Sequence, residues 1–183
     1  MPVSGGTQFL KPQEVFAKVK LIEGMQVADL GTGNLGYFVI PAAKLVGKEG
    51  KVYAVDILKS VLDAVRSMSK LAGLTNLETI WADLEKVGST NIPDLSMDVC
   101  LVVNVLFQNK KRKEILAEAA RILKNGGKLV VIDWKKIGIP FGPPVEIRIE
   151  PDSIKGWARE LKLRLVEETE FGDYFWGLIF EKI

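Results

Sequence analysis

Apolar positions recur along this chain with two alternating periods. Val27 to Leu30 is a short apolar run that ends in a glycine loop, which predicts a strand. Tyr37 to Val46 has a helical pattern, and Pro41 belongs in its first turn or two, where a missing amide donor is tolerated. Lys51 to Val55 is a second strand. Val61, Leu62, Val65, Met68 and Ala72 follow at helical spacing, with Gly73 closing that helix. Leu77 to Ala82 is a third strand. Glu85 to Ser96, with Gly88 and Pro93, is a loop. Met97 to Val103 is continuously apolar, as in a strand buried on both faces. Ile115, Leu116, Ala119, Ile122 and Leu123 mark a helix that Asn125-Gly126-Gly127 should stop, and Lys128 to Ile132 is a fifth strand.

This alternation predicts βαβ units in an α/β fold, a mostly parallel sheet with helices on both faces. The pattern then changes. Ile137 to Pro151 carries Gly138, Pro140, Gly142, Pro143 and Pro144 and reads as a long loop. Pro151 to Leu161 reads as a helix with proline at its start. Leu163 to Phe171 and Tyr174 to Glu181 are strands joined at Gly172-Asp173, a hairpin that makes the last strand antiparallel and the seventh of the sheet. One domain is expected: an N-terminal helix and lid (1–25), ligand-binding βα units (26–134), and a loop, helix and hairpin (135–183).

Composition narrows the chemistry. The chain has 183 residues, one domain's worth, and a net charge of +2, too small to imply a nucleic-acid or membrane partner. No apolar run approaches the roughly 20 residues of a membrane span, and Met1 to Lys11 lacks a signal-like apolar stretch, so a cytoplasmic location is expected. Histidine is absent, which excludes a Ser-His-Asp triad, a Cys-His pair or a histidine-ligated zinc within this chain. No metal site is expected. Cys100, the single cysteine, reads as a buried apolar residue.

Gly31, Gly33 and Gly36 form G-x-G-x-x-G between a strand and a helix, where glycines allow a tight turn and close approach to a ligand. The pattern alone also suits a nicotinamide dinucleotide, and Asp56 at the end of the second strand can bind ribose hydroxyls in either case. Asp29 favours a different ligand. A carboxylate about 4 Å from one pyrophosphate charge is repelled by ~1 kcal/mol in water and ~4 kcal/mol at an effective dielectric near 20. S-adenosylmethionine carries an ammonium and a sulfonium and no phosphate. Asp83 ends the third strand in the same register, so Asp29, Asp56 and Asp83 share one rim.

Five segments in order then resemble the class I S-adenosylmethionine-dependent methyltransferases, the methyltransferase-domain (type 11-like) group. They are Val27 to Gly33, Gly50 to Ile57, Ala82 to Leu84, Asp98 to Gln108 and Glu118 to Trp134. The resemblance runs from about Phe9 to the C-terminus. It implies a Rossmann-like doubly wound sheet, with S-adenosylmethionine as cofactor and S-adenosylhomocysteine as product. It also implies residue roles. Asp29, Gly31, Thr32, Gly33, Asn34 and Gly36 would hold the methionine part; Asp56 would bind the ribose, with Ile57 on the adenine. Asp83 would accept from the adenine amino group, Leu84 would offer its amide, and Asn104 would lie near the sulfonium. One departure stands out: many members place the third glycine one residue earlier, where this chain has Leu35.

Methyl transfer is an in-line displacement in which the protein aligns the nucleophile and excludes water. The acceptor pocket is expected over the carboxyl ends of the fourth and fifth strands. Its candidate walls are Phe107, Gln108, Asp133, Trp134, Glu146, Arg148, Tyr174 and Trp176, with Thr7 to Pro12 as a lid over the cofactor. No base can be nominated. Asn104-Val105-Leu106-Phe107 lacks the Asn/Asp-Pro-Pro-aromatic motif of nucleobase amino methyltransferases, and one cysteine argues against an arsenite methyltransferase. Quinone-ring enzymes of similar sequence usually have a larger cap. A small-molecule acceptor is expected first, with protein or RNA left open. The residues alone also leave open an NAD(P)-dependent oxidoreductase, and a cofactor-binding module without catalysis.

Overall fold

The computed structural model describes residues 6–183. Its elements run α1 (Pro12–Val19), β1 (Gln26–Leu30), α2 (Val39–Val46), β2 (Lys51–Asp56), α3 (Lys59–Leu71), β3 (Leu77–Trp81), β4 (Met97–Val103), α4 (Arg112–Ile122), β5 (Leu123–Trp134), α5 (Pro151–Glu160), β6 (Leu163–Phe171) and β7 (Phe175–Lys182). One seven-stranded sheet has the order β3-β2-β1-β4-β5-β7-β6. β1 to β5 pair in parallel, and β7 runs antiparallel to both β5 and β6.

The period of two along the central strands explains why both faces are covered. On β4, Cys100 and Val102 face one core, while Val99, Leu101 and Val103 face the other. On β5, Leu129 and Val131 alternate with Val130, Ile132 and Trp134 in the same way. α4 and α5 bury Ile115, Leu116, Ala119, Ile154 and Ala158 against the first face. α1, α2 and α3 bury Val15, Phe16, Val39, Ala42, Val46 and Val65 against the second. Pro41 sits in the first turn of α2, and Gly73 follows α3 with φ +66°.

One boundary differs from the sequence expectation. α4 ends at Ile122, and Asn125-Gly126-Gly127 lie inside β5 rather than stopping the helix. The last helical carbonyls are claimed by tertiary partners. Leu95 N–H donates to Arg121 O at 3.2 Å, Ser96 N–H to Ile122 O at 2.8 Å, and Lys182 Nζ to the carbonyls of Ala120 and Leu123. Those partners satisfy the acceptors a helix end leaves open, so the chain turns extended at Leu123 (φ −66°, ψ 138°) and pairs it with Met97.

The sheet order reverses between β1 and β4, since β2 and β3 lie outward of β1 while β4 and β5 lie on its other side. A crevice forms outside the carboxyl ends of strands at such a point. Among the described residues no helix is long and apolar enough to cross a membrane.

Candidate active site

The loop after β1 and the turn after β4 meet at this reversal. Gly31 (φ +88°) is pressed on Val105 so closely that a Cβ there would lie 2.4 Å from Val105 Cγ2. Only glycine fits a left-handed position with a side chain already in contact. Leu35, where many resembling sequences have glycine, takes the left-handed conformation anyway (φ 65°, ψ 6°) and is 62% exposed. That strain is on the order of 1–2 kcal/mol for an L-residue. Asn104, the residue after β4, is buried and also left-handed at φ 56°; its N–H donates to Ile132 O at 2.8 Å and its carbonyl accepts from Gln108 Nε2.

The acidic residues gather on one rim. Asp29 is 1% exposed at the end of β1. Burial pushes its pKa up to about 7; the Thr32 hydroxyl opposes that rise and the charge of Asp56 adds to it. Neither Asp29 Oδ2 nor Thr32 Oγ1 completes a hydrogen bond, although both are buried. Asp56 ends β2 and shapes the loop, accepting from Gly33 N–H at 3.1 Å and from Leu58 N–H at 2.9 Å. Ile57 beside it is exposed, as is Trp81, whose indole N–H donates to Ile57 O at 2.8 Å. Asp83 is half-buried, accepts from Glu85 N–H at 3.1 Å and pairs with Lys86 at 3.3 Å, and Leu84 is buried behind it. The side chain of Asn34 lies outside the described residues.

The expected acceptor residues divide. Trp134 is wholly buried at the end of β5, 4.6 Å between ring centroids from Phe175 and 6.2 Å from Phe141. Tyr174 stands edge-on to Phe141 at 4.9 Å, and Phe9 touches both, at 5.6 and 5.2 Å. Phe107 is buried in the same core layer as Trp134, and Gln108 is exposed beside it. Trp176 is not brought to this space. It packs in the core on the opposite face of the sheet, and its indole N–H donates to Ile149 O at 3.0 Å. The period of two decides this, since Phe175 lies opposite Trp134 in the register and Trp176 opposite Asp133. Sequence reasoning missed Phe175 and Phe141. The strand alternation held the signal for Phe175; nothing local marks Phe141.

Arg148 and Glu146 do not form a surface pair closing the site. Glu146 is exposed, while Arg148 is buried beneath the loop. Its guanidinium donates to the carbonyls of Pro143 (2.9 Å), Lys135 (2.9 Å), Ile137 (2.8 Å) and Phe141 (3.3 Å), and sits 5.4 Å from the Trp134 ring centroid. Burial lowers its pKa. It is spent on building the 135–143 loop. Asp133 is likewise committed. Burial raises its carboxyl to about 7, but Phe107 N–H (3.2 Å) and its neighbour Trp134 N–H (2.8 Å) bind its two oxygens. It ties the end of β5 to the turn after β4 and is poorly placed to act as a base. Among the described residues no group of acidic or thiol side chains could hold a metal ion.

Comparison with known proteins agrees with this geometry. Residues 21–168 match the family described as methyltransferase domain. The ubiquinone/menaquinone biosynthesis C-methyltransferase UbiE of Laribacter hongkongensis is 32% identical over 149 residues, which cover 79% of this chain and 57% of that protein. The chain therefore spans just over half the length of that curated relative. A SAM dependent methyltransferase from Aquifex aeolicus superposes with a TM-score of 0.85 at 26% identity, over 98% of this chain and 93% of that one. The [4+2]-cyclase SpnF shares the fold, with a TM-score of 0.79 at 13% identity over 93% of this chain and 80% of that one. The chain belongs to the class I S-adenosylmethionine-dependent methyltransferases, and S-adenosylmethionine is its cofactor. That membership removes the nicotinamide reading. The residues present fit the cofactor: a buried carboxyl oxygen and a buried hydroxyl without partners suit a cationic amino acid, and exposed Ile57 offers apolar surface beside Asp56.

Proposed function

We propose that the protein transfers a methyl group from S-adenosylmethionine to a small-molecule acceptor bound between the glycine loop and Trp134. The buried Asp29 carboxyl at the glycine loop, whose Oδ2 has no partner, carries this reading. A buried carboxylate is stabilised by a cation placed against it and destabilised by a phosphate. Asp29 and Thr32 face the ammonium of the methionine part, and Gly31, Gly33, Asn34 and Gly36 lend backbone to it. Asp56 takes the ribose hydroxyls and Ile57 the adenine face. Asp83 and the Leu84 amide read the adenine edge, and Asn104 lies toward the sulfonium. When bound, the cofactor supplies a methyl carbon activated by its sulfonium.

The acceptor side is apolar. Trp134, Phe141, Phe175, Phe9 and Tyr174 form one connected aromatic cluster at the end of β5. Such an apolar cluster suits a small apolar molecule better than a protein or RNA segment. With no histidine and with Asp133 tied up by amides, alignment carries the chemistry. The name of the UbiE relative makes a quinol-ring carbon the first acceptor to try. A cytoplasmic setting accords with a lone, buried Cys100.

Labelling tests the reading. Given methyl-labelled cofactor and a fractionated cell extract, the protein should label the small-molecule pool. Label found only in protein or RNA, or in no fraction, would overturn the small-molecule assignment. Calorimetry with S-adenosylhomocysteine separately tests the cofactor contacts, and no heat at millimolar ligand would sink them.

A further inference from the structure

The aromatic cluster at the end of β5 contains a polar atom that the fold does not use. Trp134 is 0% exposed, and its indole Nε1 donates to no acceptor. Two other indoles of the chain are completed: Trp81 N–H donates to Ile57 O at 2.8 Å and Trp176 N–H to Ile149 O at 3.0 Å. A buried donor left unmade costs about 1–3 kcal/mol, so buried polar groups are nearly always paired. The neighbours of Trp134 explain the gap. Phe175 and Phe141 present hydrocarbon to it, at 4.6 and 6.2 Å between centroids. Gly142 lies so close that a Cβ there would come within 2.9 Å of Cη2. In the loop that carries Phe141 and Gly142, the carbonyls of Lys135, Ile137, Phe141 and Pro143 all accept from Arg148.

Arg148 adds a second observation. Its guanidinium is buried 5.4 Å from the Trp134 ring centroid. Lys135 and Lys136 pair with Glu170 and Glu150, but Arg148 has only carbonyl partners. The nearby acids do not pair with it: Asp133 is bound by two amides, and Glu146 is exposed. A buried cation without a carboxylate keeps its positive potential at this ring. An unpaired donor and a positive charge both favour an oxygen that carries lone pairs and partial negative charge. Both disfavour an ammonium. We infer that Trp134 Nε1 is a specificity-determining donor of the acceptor site, and that the acceptor is an apolar ring bearing a phenolic or carbonyl oxygen that takes this bond. This assignment rests on the acceptor side proposed above and narrows its chemistry. Phe141, 36% exposed and in contact with Trp134, is the ring such an acceptor displaces to reach the indole.

Two probes of one shape, para-cresol and para-xylene, differ only by a hydroxyl in place of a methyl group. The four tryptophans give four indole cross-peaks in a proton–nitrogen correlation spectrum, and Trp134→Phe identifies the one that belongs to Trp134. With saturating S-adenosylhomocysteine, millimolar para-cresol should move that peak downfield and para-xylene should not. The ratio of the two affinities should fall about two- to tenfold in W134F, the worth of one hydrogen bond. Through-bond assignment of the peak keeps the wild-type shift decisive should W134F not fold. An indole peak that ignores para-cresol while Phe141 or Phe175 ring protons respond overturns the donor role and leaves the acceptor site standing. So does an affinity ratio equal in W134F and the wild type. If neither probe moves any of these resonances, the proposed acceptor site falls, and the donor role with it. A protein that binds no S-adenosylhomocysteine refutes the cofactor contacts instead, and the same shifts, measured without it, then decide the donor role.

Discussion

Two buried carboxyls in this protein shift in opposite directions. Asp29 at the glycine loop is 1% exposed, and burial lifts its pKa to about 7. Glu118 on α4 is 0% exposed, and burial alone would raise it too, yet Arg121, Thr90 and the Gly88 amide hold it down at about 2. Gly88 N–H donates to it at 2.6 Å, Arg121 Nε and Nη2 at 3.0 and 2.8 Å, and Arg121 reaches on to Asp94. The difference lies in partners. Glu118 is completed within the chain and locks the 88–94 loop onto α4. Asp29 leaves an oxygen unmatched at a loop of glycines. A finished buried charge marks scaffold, whereas an unfinished one marks a place for a ligand.

Breaking the finished pair should have the largest effect. Glu118→Ala strands the Arg121 guanidinium and the Gly88 and Thr90 donors, so urea unfolding should show a loss of about 3–5 kcal/mol. S-adenosylhomocysteine affinity in the folded fraction should stay unchanged.

The pH profile of the ligand-free protein comes next. Asp29 and Asp133 keep their protons in the fold up to about pH 7, whereas the unfolded chain releases them near the usual value of 3.8. The folded state then binds more protons, so both carboxyls make stability fall as pH rises from about 4 to about 7. Glu118 acts oppositely: its contribution is present above the ordinary 4.5 and is lost as pH falls toward 2. Thermal unfolding should therefore show greatest stability near pH 4–5, and a maximum at pH 8 would contradict the assignment.

Asp29→Asn should separate stability from binding. At pH 8 the ligand-free variant should gain about 1–2 kcal/mol, because no charge is left buried without a partner. Its affinity for S-adenosylhomocysteine should drop about tenfold or more, a loss of about 1.4 kcal/mol or more. In the wild type that affinity should rise between pH 6 and 8 as the carboxyl ionises; in the variant it should be flat. Asp56→Ala should weaken the same ligand by about tenfold by calorimetry, since it removes both the proposed ribose acceptor and the anchor of Gly33 N–H. The smallest effect is expected from Leu35→Gly, which should raise stability by up to about 1 kcal/mol in chemical denaturation by relieving the left-handed backbone.

Much of the fold can be read from local patterns. Met97–Val103 is a strand with the bounds its apolar run suggests, and Pro151 opens α5. These features report burial on both faces and a fixed φ, which are properties of the residues themselves. The end of α4 was not readable, because Lys182 and the 95–96 amides that claim its carbonyls come from distant parts of the chain. That Asp29, Asp56 and Asp83 share one rim was readable, because each stands at or just beyond the end of a strand in one parallel sheet. The acceptor side was not. Trp176, two residues after Tyr174, falls on the opposite face from Trp134, and Arg148 turns inward to four loop carbonyls.

Periodicity and turn chemistry, which act over a few residues, set the alternating order of strands and helices, the glycine loop and the row of carboxylates at the strand ends. Which of those carboxylates kept an oxygen without a partner, which aromatic rings met at Trp134, and where residues 6–10 came to rest were settled by long-range packing. Those outcomes depend on contacts between separate segments, such as Trp134 with Phe175 and Phe9 with Tyr174, and no local pattern encodes them.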